Sequence, residues 1–429
     1  MVSCAWCFPR LVTKSSPASP VWLHIARERV GKVASAYVAK ESAVEAGTIP
    51  DPVLRSIGFL AFFDRFATPP MLVALATVTE LTLAQAVQLV AAYSLFYALG
   101  QPLWGLLSDR FGRLAVLRLA LAGAAVGAVT STLFMAYLPL LVVRSITGFM
   151  FGALYPTLLT LLGDTRKGTD RARGLSDLQI YSSLGATLAT LGAGAVATFV
   201  DWRLVFGLPA LGAAAILVAL ARVEAPPAVR GRFRLRRAFT PAAVGLYAIA
   251  LLEGTVLLGA LTYIVPALQH AGVGIGLAGL LATGYAVGVI LGARAMKVLV
   301  HRFSRTRLIL AGGAVLALAC GISMLWPVPA VVTVTATLIG VANAVMHSSM
   351  QGWATDVAPQ ARATTVSLFA ASLFLGGSLG NFATATLAEA GSYAAIFGFG
   401  LLASVVLTIA ATIGHAAWTR RHANRTTPG

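Results

Sequence analysis

From Val53 to Trp418 the chain is a series of long apolar runs separated by short polar loops. A helix that crosses a bilayer needs about 20 mostly apolar residues. On that rule the pattern predicts twelve spans: Val53–Thr77, Leu83–Leu107, Leu114–Tyr137, Leu138–Leu162, Leu175–Val200, Leu204–Val223, Pro241–Leu268, Gly274–Val300, Leu308–Trp326, Pro329–Gln351, Ala363–Leu387 and Tyr393–Trp418. The segment before them is polar and has no apolar core of the kind a signal peptide carries. Within it, Trp22–Val44 reads equally as a short amphipathic helix or as sequence upstream of the true start. The predicted organisation is a disordered cytoplasmic extension at 1–52, a six-helix bundle at 53–223 and a basic linker at 224–240. A second six-helix bundle at 241–418 and a cytoplasmic tail at 419–429 follow.

Composition agrees with an all-α membrane protein. The chain is 58% hydrophobic and only 11% charged, with mean hydropathy +0.83. A soluble domain carries about 25% charged residues, so this chain could not cover a surface of its size in water. The 42 glycines fit close helix approach in a bilayer. Net charge is +17, yet the basic residues follow topology and do not form a nucleic-acid patch. With the N-terminus in the cytoplasm, all but a few of the 32 Lys and Arg fall on that side. The far side keeps Arg203, while Arg65 and Arg144 lie inside spans. By the positive-inside rule both termini are cytoplasmic, which predicts a multi-pass protein of the inner or plasma membrane. Cys4 and Cys7 form a lone CxxC without the second pair that a zinc site needs. Cys320 lies in an apolar run and reads as packing.

The two halves look duplicated. "DRFGR" at Asp109–Arg113 recurs as "HRFSR" at His301–Arg305. The same offset carries Gly148 to Gly340, Asp164 to Asp356 and Gly185 to Gly377. Repeats of this kind are a transporter architecture, in which two halves rock about a central site.

The loop after span 2 reads "GLLSDRFGRL", Gly105–Leu114. Gly105 allows close packing of span 2, Asp109 can pair with an arginine, and Gly112 permits a tight turn. Arg110 and Arg113 anchor the basic face. This stretch resembles the loop signature of the major facilitator superfamily, and the resemblance extends over nearly all the chain except its tails. It implies the major facilitator fold, with twelve transmembrane helices in two six-helix pseudo-repeats. It also implies a cytoplasmic gate at Gly105, Asp109, Arg110, Gly112 and Arg113. Because His301 stands where the second copy would hold its acid, the latch is expected on one half only. "RSITG", Arg144–Gly148, resembles the family's span-4 arginine motif, with Thr147 where Gln is common. The drug–proton antiporter branch is the nearest likeness, but one of its signatures is missing. The span-5 Gly-Pro and Gly-Gly positions hold Leu188–Ala189 and Gly192–Ala193, which counts against drug antiport.

Charged and strongly polar groups inside a bilayer are costly and mark function. Asp64 lies in span 1, Arg144 in span 4, Glu253 in span 7, and Asn343 and His347 in span 10. Asn343 and His347 are four residues apart and share a helix face. The resemblance implies that these four spans line a central substrate cavity. Asp64, with Arg144 as its counter-charge, is the expected proton-coupling site, and Glu253 is the reserve carboxylate. Desolvation disfavours a carboxylate's charge and a nearby arginine favours it, so such a group can switch as the cavity changes sides. No nucleophile–base set, P-loop or metal-binding pattern is present in the sequence.

The expected function is therefore non-enzymatic: secondary transport of a small organic solute by alternating access. Proton-coupled efflux of drug-like compounds or metabolites is the leading expectation. The alternative is proton-coupled or facilitative uptake of an organic acid, sugar or nucleoside-like solute. A membrane-embedded enzyme or receptor on the same scaffold is a minor one. The expected partners are a small-molecule substrate, protons and the lipid bilayer. A nucleic acid, a cofactor and a metal are not expected, and the chain is expected to act as a monomer.

Overall fold

A computed structural model describes residues 49–166, 168–224 and 235–426. The predicted N-terminal extension as far as Thr48, most of the predicted linker and the last tail residues lie outside the described residues. Among the described residues the regular structure is helical throughout. Eleven helical stretches are long and apolar enough to cross a membrane.

The fifth of these, Gly168–Ala221, is two spans and not one. Its 54 residues would make a helix of about 80 Å at 1.5 Å per residue, against about 30 Å of hydrocarbon. Asp201 breaks it, with extended backbone at φ −162° and ψ 131°; its Oδ1 accepts from the Arg203 amide at 2.8 Å and caps the next helix. Both products, Gly168–Val196 and Trp202–Ala221, pack back against Asp51–Ala67. The described residues thus form twelve transmembrane helices. Spans 1 to 4 are Asp51–Val78, Leu83–Phe111, Arg113–Ser131 and Tyr137–Thr165, and spans 5 and 6 are the two helices just named. Spans 7 to 12 are Pro241–His270, Ile275–Arg302, Arg305–Leu325, Pro329–Asp356, Thr364–Glu389 and Tyr393–Arg421. Span 10 outruns its predicted end at Gln351 because the polar stretch up to Asp356 is still helical.

Several spans are broken partway along. In span 1 a 3-10 turn at Pro69–Met71 interrupts the helix, since neither proline has an N–H to donate. Span 4 breaks between Phe151 and Leu154, span 8 between Ala282 and Gly284. Span 10 carries a π-helical turn at Asn343–His347, a feature frequent at functional sites. Span 5 runs unbroken through Leu188–Ala193, as the absence of the antiporter proline leads one to expect.

The duplication is visible in the packing. A Cβ on Gly148 would lie 2.4 Å from the Tyr93 carbonyl oxygen, so spans 4 and 2 touch backbone to backbone. At the repeated position, a Cβ on Gly340 would lie 2.1 Å from the Tyr285 carbonyl oxygen, and spans 10 and 8 touch in the same way. Gly185 presses span 5 onto Phe59 of span 1; its counterpart Gly377 presses span 11 onto span 7 at Leu258. Each half is built on the same helix contacts, giving two six-helix pseudo-repeats.

One end of the bundle bears Asp109, Arg113 and Arg305 and is called here the basic end. The halves meet at the opposite, far end. There the Ala84 amide donates to Glu389 Oε2 at 2.7 Å, and Ser378 Oγ donates to the Ala91 carbonyl at 2.7 Å. Spans 2 and 11 run side by side across the interface. Ile275–Ala282 of span 8 packs on span 5, and that packing does not continue along Gly284–Arg302. Pro69–Met71 of span 1 packs on span 7, whereas Asp51–Ala67 packs on spans 4, 5 and 6 of its own half. The hydrogen bonds between the halves thus lie toward the far end among the described residues.

Candidate functional site: buried charges between the halves

Span 1 brings Asp64 to the middle of the N-terminal half, where it is 1% exposed. Arg144 of span 4 faces it, also 1% exposed. The two guanidinium nitrogens Nη1 and Nη2 donate to Oδ1 and Oδ2, each at 3.3 Å, in a bidentate fork. The Arg144 guanidinium also lies 4.7 Å from the Tyr93 ring centroid and 4.4 Å from that of Phe206. The structure brings these two sequence-named residues together, and Arg144 is buried within the half. The break at Pro69–Met71 lies one turn beyond Asp64.

In the C-terminal half Glu253 of span 7 is fully buried. Its Oε1 lies 3.2 Å from His347 Nδ1 on span 10, and its Oε2 has no hydrogen-bond partner. The His347 ring stacks on Phe369 of span 11, with centroids 5.6 Å apart. Asn343 begins the π turn that His347 ends. It is half-buried and makes no hydrogen bond to the Glu253–His347 pair. Sequence reasoning named Glu253 and His347 separately; their pairing follows from how spans 7 and 10 cross.

At the basic end Gly112 sits at φ 92°, a backbone that L side chains rarely adopt, and turns span 2 into span 3. Arg113 Nη1 donates to Asp109 Oδ1 at 2.5 Å and to Ser108 Oγ at 3.0 Å. Its Nε donates to Asp164 Oδ2 at 3.2 Å, tying the loop to the end of span 4. Gly105 is half-buried one turn before Asp109. Arg110 is exposed, its guanidinium 5.3 Å from the Phe111 ring.

The second half also carries an arginine–aspartate tie at this end. Arg305, the counterpart of Arg113, donates from Nη1 to Asp356 Oδ2 at 2.7 Å, and Asp356 is the counterpart of Asp164. Both halves therefore keep the arginine–aspartate tie between their second loop and the end of their fourth span. Only the i,i+4 pair made by Asp109 is unique to the first half. Asp164 and Asp356 had marked the repeat in sequence, but nothing local shows that they accept from the loop arginines.

Twelve spans in two repeated halves, carrying buried charges at mid-span, have the build of a secondary transporter. A model of the Major Facilitator Superfamily matches residues 56–276 and 243–428. The chain belongs to that superfamily. Among curated proteins it is similar to a triacylglyceride transporter of Mycolicibacterium smegmatis, at 37% identity over 123 residues, 28% of this chain and 22% of that protein. A triacylglyceride transporter of Mycolicibacterium hassiacum is 34% identical over 170 residues, 37% of this chain and 32% of that protein. The matched stretches thus span less than a third of the length of these relatives. Among solved structures, the nucleoside transporter NupG superposes with TM-score 0.69 at 14% identity, covering 85% of this chain and 98% of that one. A D-xylose–proton symporter gives TM-score 0.67 at 17% identity, over 83% and 96% of the two chains. These structures share the fold.

Proposed function

We propose that this protein is a proton-coupled secondary transporter that moves a small organic solute out of the cell by alternating access. The observation that carries the reading is the Asp64–Arg144 pair, a carboxylate and its only ion-pair partner among the described residues, buried at mid-span. A buried ion pair is a poor way to stabilise a fold, since desolvation consumes most of its Coulombic gain. It is a good way to hold a group that exchanges a proton when one side opens. Protonated Asp64 no longer needs Arg144, and the freed arginine then changes how spans 1 and 4 sit. Glu253 and His347 form a second titratable pair in the other half and stand in reserve for the same task. In this reading the solute passes between the two halves that carry these pairs.

In this reading the basic end is cytoplasmic and both termini lie on that side, in the cell membrane. Arg113 with Asp109 and Asp164, and Arg305 with Asp356, are the ties remade as the basic end closes. The relatives named triacylglyceride transporters favour a second reading of the cargo, a neutral lipid. The test is solute-driven proton movement. Purified protein in liposomes loaded with a pH-sensitive dye should acidify or alkalinise the lumen when a candidate solute is added outside. A solute that is transported without any proton movement refutes the coupling.

A further inference from the structure

Three of the four charged side chains buried at mid-span are accounted for: Asp64 and Arg144 hold each other, and Glu253 meets His347. The fourth is Arg65, which neighbours Asp64 in sequence but points about 100° away around the helix. It is only 8% exposed. Its Nε and Nη1 have no hydrogen-bond partner, and no ion pair reaches it among the described residues. What surrounds it is aromatic: the guanidinium carbon lies 3.8 Å from the Phe374 ring centroid on span 11 and 4.9 Å from that of Tyr97 on span 2.

An arginine does not escape burial by shedding its proton. Aromatic faces return about 2 kcal/mol to a desolvated cation, while an uncompensated buried charge costs several. Rings also leave the N–H donors unsatisfied. Arg65 lines a cavity between the halves. That cavity has two kinds of wall. Ser94, Thr190, Thr262 and Asn381 are polar; Phe66, Leu258, Leu261 and Val265 are apolar. Asn381 donates through Nδ2 to Thr262 Oγ1 at 3.2 Å, and its Oδ1 is buried without a partner. Unsatisfied donors on one half and an unsatisfied acceptor on the other thus belong to side chains that line one partly apolar chamber.

We propose that Arg65 is the headgroup subsite of this chamber, and that the solute it takes is an amphiphile with an oxyanion head, carboxylate or phosphate, on an apolar body. The guanidinium fork presents paired N–H donors that match either head in a bidentate fashion. The apolar wall takes the body. Because Arg65 belongs to one half and the apolar wall at Leu258, Leu261 and Val265 to the other, a bound anionic amphiphile touches both halves and reports its presence to each. The inference rests on the transporter reading above and names its substrate class. It also separates that class from a neutral lipid.

The test is binding to the full chain in phosphatidylcholine nanodiscs, measured by calorimetry without a pH gradient. The probes are octanoate, octyl phosphate, octanol and inorganic phosphate. At least one anionic amphiphile should bind ten-fold or more tightly than octanol. Arg65→Gln should weaken that binding at least ten-fold, and Arg65→Lys should restore part of it, which a merely misfolded variant would not. Tighter binding of octanoate assigns a carboxylate head, tighter binding of octyl phosphate a phosphate head. The proposal is overturned if octanol binds as tightly as both anions, if Arg65→Gln binds them as wild type does, or if no probe binds. Inorganic phosphate binding as tightly as octyl phosphate overturns the amphiphile. Since no gradient is used, failure here leaves proton coupling standing, and loss of coupling leaves anion binding measurable.

Discussion

Removing either partner of the Asp64–Arg144 pair should destabilise the protein, and the two removals should not cost the same. Both side chains are buried and joined by two contacts of 3.3 Å. Leaving one charge of such a pair uncompensated costs about 3–5 kcal/mol. For Asp64→Asn part of that loss is offset, because Arg144 keeps the Tyr93 and Phe206 faces at 4.7 and 4.4 Å, together worth about 2 kcal/mol in a desolvated site. Asp64 keeps only the Tyr93 side chain beside it, a neighbour that carries no compensating charge. Arg144→Gln should therefore cost about 3–5 kcal/mol at neutral pH, and Asp64→Asn about 1–3. The double variant removes both charges and should cost little more than the milder single one, giving a coupling energy of about 2–4 kcal/mol. Unfolding free energies from SDS titration of the four proteins in mixed micelles measure this cycle. Additive costs, with coupling below about 0.5 kcal/mol, would refute the argument that these residues hold each other.

The repeated glycine contacts predict that Gly340→Ala, whose Cβ would meet the Tyr285 carbonyl oxygen at 2.1 Å, forces spans 8 and 10 apart. It should cost about 1–3 kcal/mol, whereas Gly259→Ala, with open space around it, should be neutral or slightly stabilising in the same titration. Asp109→Asn should insert normally and slow the transport cycle. Its effect on unfolding should stay small, because Arg113 still donates to Asp164, and a wild-type rate with wild-type affinity would remove Asp109 from the gate. Reporter fusions after Ala84 and Gly272 should read outside, and those after Gly112, Gly231 and the C-terminus inside. A C-terminus that reads outside would break the topology.

The sequence pattern carried the fold because bilayer crossing leaves a one-dimensional trace. Length and hydropathy alone locate spans such as Leu83–Leu107, which the structure extends to Phe111, and the regular offset between Asp109 and His301, Gly148 and Gly340 exposes the duplication. Asp64 and Arg144 were legible for the same reason, since charge within an apolar run needs explaining wherever the helix packs. Relations between spans left no such trace. The Arg305–Asp356 tie joins residues that look like ordinary loop charges, and the His301 substitution drew attention away from it. The π turn at Asn343–His347 changes the register of span 10 without any proline or glycine to announce it. Arg65 read only as a basic residue inside a span; its aromatic surroundings depend on Phe374 and Tyr97, which spans 11 and 2 deliver from far along the chain.

The central claim is that Asp64 couples a proton to solute movement, and pH-driven accumulation in liposomes tests it most directly. Wild-type protein should concentrate a transported solute when a pH gradient is imposed and equilibrate it when the gradient is collapsed. Asp64→Asn should lose gradient-driven accumulation while still exchanging solute down its own gradient. If Asp64→Asn accumulates solute against its gradient with wild-type pH dependence, Asp64 is not the coupling group and the account is contradicted.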